Sequence, residues 1–322
     1  MANGSIQNQA RIAARLIVNA DDFGLTCGIN RAVAELHAAG VLTSATLMAN
    51  GPAFEDAVEI ARAHPNLGVG CHIVLTDGMP VSPPGDIRTL LGPDRRTFRP
   101  RLRGFLQALF TGSIRSEDIA REAFAQIEKI QRAGIRITHL DTHKHTHLFP
   151  AVTRPLLRAA ERAGIRAVRN PFEQSWSIPL GHGHRLRHLQ VRLLRLLQAR
   201  FDRQPQIASA SVLTTNGTIG ISATGDLDSR TLSDILRALP VESDAVFELC
   251  CHPGYNDRDL DRVTTRLRAH RDIERDALLA QIPALSLNPN PPRLIHYGDL
   301  GTDSAPTGRT RSTTNAGCEN VV

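Results

Sequence analysis

Histidine or aspartate occupies every second position from His139 to His147, directly after an apolar run. Imidazole and carboxylate groups are the ligands that borderline divalent metals take from proteins. In an extended segment alternate side chains lie on one side, so His139, Asp141 and His143 could converge on one point. A catalytic metal keeps about three protein ligands. We therefore expect Asp141 to hold an imidazole by a hydrogen bond, and His147 and Lys144 to be solvated.

Two adjacent carboxylates, Asp21 and Asp22, end the first apolar run of the chain. Neighbouring residues in a regular strand point opposite ways, so both reach one site only where the strand gives way to a loop. Gly24 would supply that freedom of the backbone. The functional interpretation is that one carboxylate binds a metal and the other takes a proton. The alternative is a turn with two solvated aspartates.

Two histidines outside the cluster follow other apolar runs. His72 lies within Val69–Thr76, where a single histidine is more often a packed core residue, yet a position near a strand end also suits a metal ligand. His252 precedes Pro253 and Gly254, which end an apolar run. Imidazole titrates near neutral pH and can donate a proton to a leaving group. The alternative for His252 is a loop histidine without a role.

The elements that must position these residues alternate between strand-like and helix-like patterns. The predicted strands are Leu16–Ala20, Ser44–Met48, Gly68–Leu75, Ile135–Leu140, Arg166–Arg169, Ala210–Leu213, Ala245–Cys250 and Arg293–Tyr297. Alternation with helices predicts parallel pairing and right-handed crossovers. Polar candidates follow so many strand ends that a ring with one functional face is favoured over an open doubly wound sheet. We predict a single irregular α/β barrel, TIM-like, of seven or eight parallel strands.

The predicted domain organisation has one large unit between two short termini. Residues 1–14 are predicted to be a flexible N-terminus, residues 15–300 the barrel domain, and residues 301–322 a disordered tail with few apolar residues. An insertion over Thr76–Arg103, rich in Pro, Gly and Arg, is predicted to be a loop or lid. We expect this region, extended to Arg115, to frame a bound substrate.

The composition argues against a nucleic-acid-binding protein, a disulfide-rich protein and a membrane-spanning protein. The 322-residue chain has a net charge of +6, but an aromatic fraction of only 4% and no recognisable nucleic-acid module, which argues against nucleic acid as a partner. Five cysteines without metal-ligand spacing do not indicate a disulfide framework. The polar N-terminus lacks the apolar run of a signal peptide, and no stretch is long enough to cross a bilayer. The predicted localisation is cytoplasmic.

A basic amphipathic helix is predicted over Arg185–Phe201, with arginines continuing to Arg203. One interpretation is a helix that covers the barrel and keeps its arginines in water. The other is peripheral contact with anionic lipid headgroups or with an amphiphilic substrate. We favour the first from the sequence.

Four motifs occur in the order of a known family: Asn19–Gly24, Gly70–Thr76, the histidine cluster and Cys251–Pro253. Together they resemble the YdjC-like carbohydrate deacetylases, which include chitooligosaccharide deacetylases and the hopanoid-biosynthesis-associated HpnK-type proteins. The resemblance covers about Leu16 to Leu300. It implies an irregular (β/α) barrel that hydrolyses N-acetyl groups on amino sugars with one divalent metal ion.

Carried over motif by motif, the resemblance implies that Asp22, His72 and His143 are the metal ligands. It implies Asp21 as the general base and His252 as the general acid. One carboxylate and two imidazoles suit Zn, and also Co, Mn or Ni, whereas the family also allows Mg. The implied partner is an N-acetylated amino sugar, in an oligosaccharide or a glycolipid headgroup.

Other readings remain open at this point. Many chitooligosaccharide deacetylases resemble one another in having histidine at the position that Lys144 occupies in this chain. Lysine at this position is more like the HpnK-type branch, so the identity of the acceptor sugar stays open. A barrel metallohydrolase acting on another ester or amide would usually carry His-x-His on its first strand, where this chain has Asp-Asp. A catalytically inactive sugar or lipid binder would lack a base or a ligand. The sequence does not fix the oligomeric state, and a homo-oligomer stays open.

Overall fold

The computed structural model of the chain describes residues 13–181, 185–240 and 244–302. The predicted flexible N-terminus lies outside the described residues as far as residue 12, and the predicted disordered tail lies outside them from residue 303. Those two predictions therefore remain predictions. In the described part of the chain, no helix has both the length and the apolar character needed to span a bilayer.

The strands form a parallel sheet, as the alternation with helices predicted. They are β1 (Arg15–Phe23), β2 (Ser44–Leu47), β3 (Gly68–Ile73), β4 (Leu140–Thr142), β5 (Gly217–Ile219), β6 (Val246–Cys251) and β7 (Arg293–Leu294). The strand order is β4-β3-β2-β1-β6-β5, and β7 pairs with the beginning of β1. Every pair in this sheet is parallel.

The curled sheet is a half-barrel that isolated bridges continue on its remaining side. Leu140 bridges to Val168, Ala167 to Leu213, and Glu173 to Thr218 of β5. The segment between β4 and β5 therefore closes the ring without a regular strand. This confirms the irregular barrel.

Several strand predictions were wrong in extent. Predicted strand Arg166–Arg169 contributes only two isolated bridges and predicted strand Ala210–Leu213 only one, whereas β5 was not predicted. Of predicted strand Ile135–Leu140, only Leu140 belongs to an observed strand, β4. Pro171 has no amide hydrogen for a ladder, so the region around it cannot continue as a regular strand.

The helices cover the sheet. They are α1 (Cys27–Ala38), α2 (Phe54–Ala63), α3 (Leu102–Phe110), α4 (Ser116–Arg132), α5 (Pro150–Arg162), α6 (Arg185–Leu194), α7 (Gln198–Asp202), α8 (Pro205–Ala208), α9 (Ser229–Arg237) and α10 (Ala269–Ala284). The helix predicted over Arg185–Phe201 is interrupted by a 3-10 turn at Arg195–Leu197. The predicted insertion Thr76–Arg103 contains one antiparallel bridge, between Leu91 and Phe98, and α3 begins at its end.

Strand β1 lies at the centre of the sheet, between β2 and β6. Its residues Leu16, Val18 and Ala20 are fully buried in the hydrophobic core. A parallel strand covered by structure on both faces is expected to be apolar throughout. The apolar run thus explains why the chain positions Asp21 and Asp22 in the middle of the carboxyl-terminal edge of the sheet.

Candidate active site

A cleft of about 760 Å³ lies at the carboxyl ends of the strands, where barrel enzymes carry their sites. All five residues singled out from the sequence line it: Asp21, Asp22, His72, His143 and His252. They come from the ends of β1, β3 and β6 and from the turn that follows β4. The structure thus brings together residues that are up to 231 positions apart in the sequence (252 − 21).

Both aspartates reach the cleft because β1 is irregular at its end. The register with β2 shifts between Ala20 and Phe23, and Asp22 has φ of 66°. This left-handed conformation breaks the alternation of side chains, so that neighbours can lie on one side. The sequence predicts this backbone freedom only for Gly24. Gly24 also has positive φ, and a Cβ there would approach Leu47 Cδ1 to 2.9 Å.

Three side chains converge on one point at the floor of the cleft. Asp22 Oδ1 lies 3.3 Å from His143 Nδ1 and 3.7 Å from His72 Nε2. The two imidazole nitrogens are 3.3 Å apart. Asp22 Oδ1 is buried and has no hydrogen-bond partner of acceptable geometry among the described residues. A buried carboxylate oxygen left without a donor between two imidazoles fits a small cation.

The His72 ring is held by Asp141, as the sequence predicted for this carboxylate. His72 Nδ1 and Asp141 Oδ1 are 2.8 Å apart, and both side chains are buried. Burial alone would lower the pKa of His72, but the negative charge of Asp141 raises it to about 9. The surroundings of His72 therefore stabilise positive charge at this position.

Asp21 is bound on both oxygens by Arg169. Arg169 Nη2 donates to Asp21 Oδ1 at 2.6 Å and Nη1 donates to Oδ2 at 2.9 Å. The same guanidinium contacts Asp141 Oδ2 at 2.5 Å and Glu248 Oε1 at 2.6 Å. Burial would raise the pKa of Asp21, yet Arg169 holds it well below its usual value. Asp21 is consequently ionised at neutral pH.

Sequence reasoning missed Arg169 and Glu248. Both side chains are fully buried, and Glu248 lies within β6 and also accepts a hydrogen bond from the Tyr297 hydroxyl. A charged residue inside an apolar run was the available signal, because such residues are almost never buried without partners. The partners themselves could not be found this way, since Asp21 is 148 positions from Arg169.

His252 lies on the other side of Asp21. Its Nε2 is 3.8 Å from Asp21 Oδ2, and its backbone amide donates to Glu274 Oε2 at 2.6 Å. Burial lowers the pKa of His252 to about 4, and burial raises the pKa of Glu274 to about 7. The imidazole is therefore neutral at pH 7. Glu274, on α10, was not singled out from the sequence.

The other histidines of the cluster do not join the three converging side chains. His139 precedes β4, and its ring stacks on Tyr297 with centroids 3.7 Å apart. The prediction that it converges with Asp141 and His143 was therefore wrong for His139. His145 lies near Asp21 instead, close enough to form a second group of candidate ligands.

The alternation fails after β4 because the chain turns. Lys144 and His145 have positive φ, within a 3-10 segment that begins at His143. His147 is fully buried with its Nδ1 2.6 Å from Thr142 Oγ1, so the expectation that it is solvated was wrong. Lys144 is half-buried and forms an ion pair with Asp77 rather than standing free in water.

The mouth of the cleft is basic. Five basic residues line it. Arg101 and Arg103 come from the insertion, Lys144 from the turn after β4, Arg187 from α6 and Arg266 from the loop before α10. The insertion and the basic helix thus contribute to the lining of the same cleft, and the framing of a substrate by the insertion stays a prediction.

The sequence profile of the YdjC-like protein family matches residues 15–284, which is most of the chain. The chain belongs to the YdjC-like family. This confirms the family resemblance drawn from the four motifs.

Relatives that match this chain over most of their length have related names. The carbohydrate deacetylase of Brevibacillus brevis is 36% identical over 244 residues, which cover 76% of this chain and 82% of the relative. The chitooligosaccharide deacetylase of an Enterobacter species is 33% identical over 246 residues, 75% of this chain and 82% of the relative. A crystal structure from Enterococcus faecalis, of a protein named as a candidate for cellobiose-phosphate cleavage, has a TM-score of 0.68 at 23% identity; the match covers 89% of this chain and 99% of that one. That likeness shows the fold alone.

Proposed function

We propose that this chain is a metal-dependent hydrolase that removes N-acetyl groups from an amino sugar. The observation that carries the proposal is the difference between two buried neighbours. Asp22 has an oxygen without a partner between two imidazoles, whereas Asp21 is held ionised beside the same point. A cation site next to a fixed base is the equipment for hydrolysis of an unactivated amide. Relatives named as carbohydrate deacetylases support the choice of substrate.

Within the part of the chain that the structure describes, three groups of side chains have spacing suited to a metal ion: Asp22 with His72 and His143, Asp21 with His145 and Cys250, and Asp21 with His72 and Asp141. The guanidinium of Arg169 contacts both oxygens of Asp21 and one oxygen of Asp141. A second cation placed on those oxygens would meet a buried positive charge at short range. Asp22, His72 and His143 are therefore the ligands we propose.

A divalent cation on these ligands would polarise the acetyl carbonyl and lower the pKa of water. One carboxylate and two imidazoles suit Zn²⁺, and by softness also Co²⁺, Mn²⁺ or Ni²⁺, while Mg²⁺ is the choice that a carboxylate-rich surrounding favours. Three protein ligands leave the coordination open for substrate.

Asp21 is the proposed general base. Its lowered pKa keeps it ionised through the neutral range, and the two hydrogen bonds from Arg169 fix the plane of the carboxylate. As water attacks the acetyl carbon, a C–O bond forms and Asp21 Oδ2 takes the proton that water releases. Arg169 acts as a positioning residue, because it does not line the cleft.

His252 is the proposed proton donor to the leaving nitrogen. Because its pKa of about 4 leaves it neutral at rest, the proton it donates must arrive during the reaction. Asp21 Oδ2, 3.8 Å from His252 Nε2, is the source. The proton then passes to the nitrogen as the C–N bond breaks, so that acetic acid and a neutral amine leave. Glu274 holds the backbone of His252 in place.

Two alternatives make different predictions. A hydrolase for other esters or amides would release no acetate from amino sugars. An inactive binder would lack the base or a ligand, but every one of these side chains is present in the cleft.

The deciding experiment is acetate release from a panel of N-acetylated saccharides and N-acetylated glycolipids, with and without chelator. We expect acetate from at least one substrate, loss of activity with chelator, and recovery when a divalent ion is restored. The Asp21→Asn variant should be inactive, and Asp276→Asn, at an exposed carboxylate outside the cleft, serves as the control. No acetate from any substrate, or activity that resists chelator, would contradict the proposal.

A further inference from the structure

Helix α6 carries a stripe of leucines on its outer surface. Leu186, Leu189 and Leu193 are 66%, 53% and 55% exposed, and Leu196 in the following 3-10 turn is 77% exposed. At ~100° per residue, the three leucines within α6 fall in an arc of roughly 60°. Large apolar side chains that are exposed singly need no explanation, but a contiguous stripe marks an interaction surface.

The opposite side of α6 fixes this orientation. Arg187 donates to the Thr224 carbonyl, Val191 is buried, and Arg195 donates to the Glu173 carbonyl. Arg187 and Val191 are four apart and therefore lie on one side of α6, and Arg195 attaches the 3-10 turn that follows it. Because that side is attached to the barrel, the leucines must face outward.

The surface that continues from α6 is strongly basic. Residues 185–203 contain six arginines and one acidic residue, Asp202. A second groove has a volume of about 730 Å³ and is lined by four arginines. Arg154 and Arg158 lie on α5, Arg200 lies on α7, and Arg203 follows α7 directly. No acidic residue is in its lining, and within residues 13–181, 185–240 and 244–302 none of these four arginines forms an ion pair. Four such guanidinium groups around one concave surface match multiple phosphates.

The inner side of helix α6 borders the candidate active site. Arg187 extends from the inner side of α6 into the lining of the catalytic cleft. A surface that α6 binds would therefore lie next to the mouth of the cleft.

We propose that the leucine–arginine face docks on the surface of an anionic lipid bilayer. This face consists of Leu186, Leu189, Leu193 and Leu196 with Arg154, Arg158, Arg200 and Arg203. Leucines would enter the boundary between headgroups and acyl chains, and arginines would contact lipid phosphates, as in interfacial amphipathic helices. A second copy of the same face would bring like charges together, so self-association is disfavoured. Together with the proposed function, docking directs the cleft toward acetylated sugars displayed at a lipid surface.

The test is sedimentation of the full chain with vesicles. We expect binding to vesicles of phosphatidylglycerol and phosphatidylcholine in equal amounts, weak binding to pure phosphatidylcholine, and loss of binding as salt is raised. The double variant L186S/L189S should reduce affinity about tenfold or more, because two apolar side chains no longer enter the bilayer. L279S/L287S changes the same number of exposed leucines on and after α10 and should bind as the wild type does.

Activity on a soluble substrate, measured without lipid, separates the docking proposal from the proposed deacetylase function. Acetate release from a soluble acetylated oligosaccharide should be the same in both double variants, because neither changes the cleft. Vesicle binding without any hydrolysis would leave the docking proposal standing and overturn the proposed function. Absence of binding, equal binding to both vesicle types, unchanged binding of L186S/L189S, or a dimer that this variant dissociates would each overturn the docking proposal.

Discussion

Asp21 and Asp22 are neighbours with the same chemistry and the same burial, yet their surroundings differ. Arg169 takes both oxygens of Asp21. Arg271 contacts only Oδ2 of Asp22, at 2.6 Å, and leaves Oδ1 beside two imidazoles. Burial would raise the pKa of each carboxyl, and the facing arginine holds each pKa well below its usual value. Asp21 is thus ionised and fixed in position, as a base must be, whereas Asp22 has an open oxygen with which it can bind metal.

The largest effect on turnover is expected from Asp21→Asn. The amide keeps the shape of the side chain but cannot take a proton, so we expect kcat to fall about a hundredfold to ten-thousandfold. The measurement is acetate release at saturating substrate and metal. Since Asp276→Asn leaves the cleft unchanged, it should retain full activity. If Asp21→Asn turned over like Asp276→Asn, the assignment of the base would be wrong.

The next prediction concerns the arginine behind Asp21. Arg169→Met leaves Asp21, Asp141 and Glu248 buried without their shared counter-charge. Removal of one partner from a buried ion cluster costs about 3–5 kcal/mol of folding free energy. Thermal or urea unfolding measures this loss. Addition of Glu248→Gln to Arg169→Met should recover part of the stability, because one unpaired charge is removed.

An unchanged midpoint in Arg169→Met would show that the guanidinium is not what compensates these carboxylates. Exposed Arg132, which pairs with Glu128 on the surface of α4, gives the matched control. Arg132→Met should change stability by less than about 1 kcal/mol, since exposed pairs contribute little.

A smaller effect is expected on the Asp22 side. Arg271 orients Asp22 through Oδ2 and leaves Oδ1, the proposed ligand atom, free. Arg271→Met should therefore weaken metal affinity about 10-fold to 100-fold, as loss of an outer partner does. Metal titration measures the change, and excess metal should restore much of the turnover. A loss of kcat that excess metal does not restore would show that Arg271 acts on the reaction rather than on the ligand.

The sequence was informative about residue types and weak about their geometry. The motifs identified both aspartates and the three histidines, since charged and imidazole groups at strand ends are conspicuous locally. The φ of Asp22 was not predictable, because it follows from the shifted register with β2. Arg271 and Glu274 lie on α10 and read as ordinary polar helix positions. Their role depends on contacts with Asp22, 249 positions away, and with His252.

In the fold, too, some strands could be predicted from the sequence and others could not. Strands β2, β3 and β6 were predicted close to their observed ranges because each is short, buried and mostly apolar or small, whereas β1 continues beyond the predicted Ala20 to Phe23 and includes both aspartates. From Ile135 to Ile219 the ring is built largely from single bridges, and short irregular segments carry no periodicity to read.

Metal stoichiometry of two single variants tests the central claim most directly. The two competing groups of ligands both contain Asp21, and only the proposed group contains Asp22. We predict that metal-loaded Asp21→Asn retains one divalent ion per chain after dialysis and that Asp22→Asn loses it. Loss of the ion from Asp21→Asn with retention in Asp22→Asn would place the cation on the other side of the site and contradict the account.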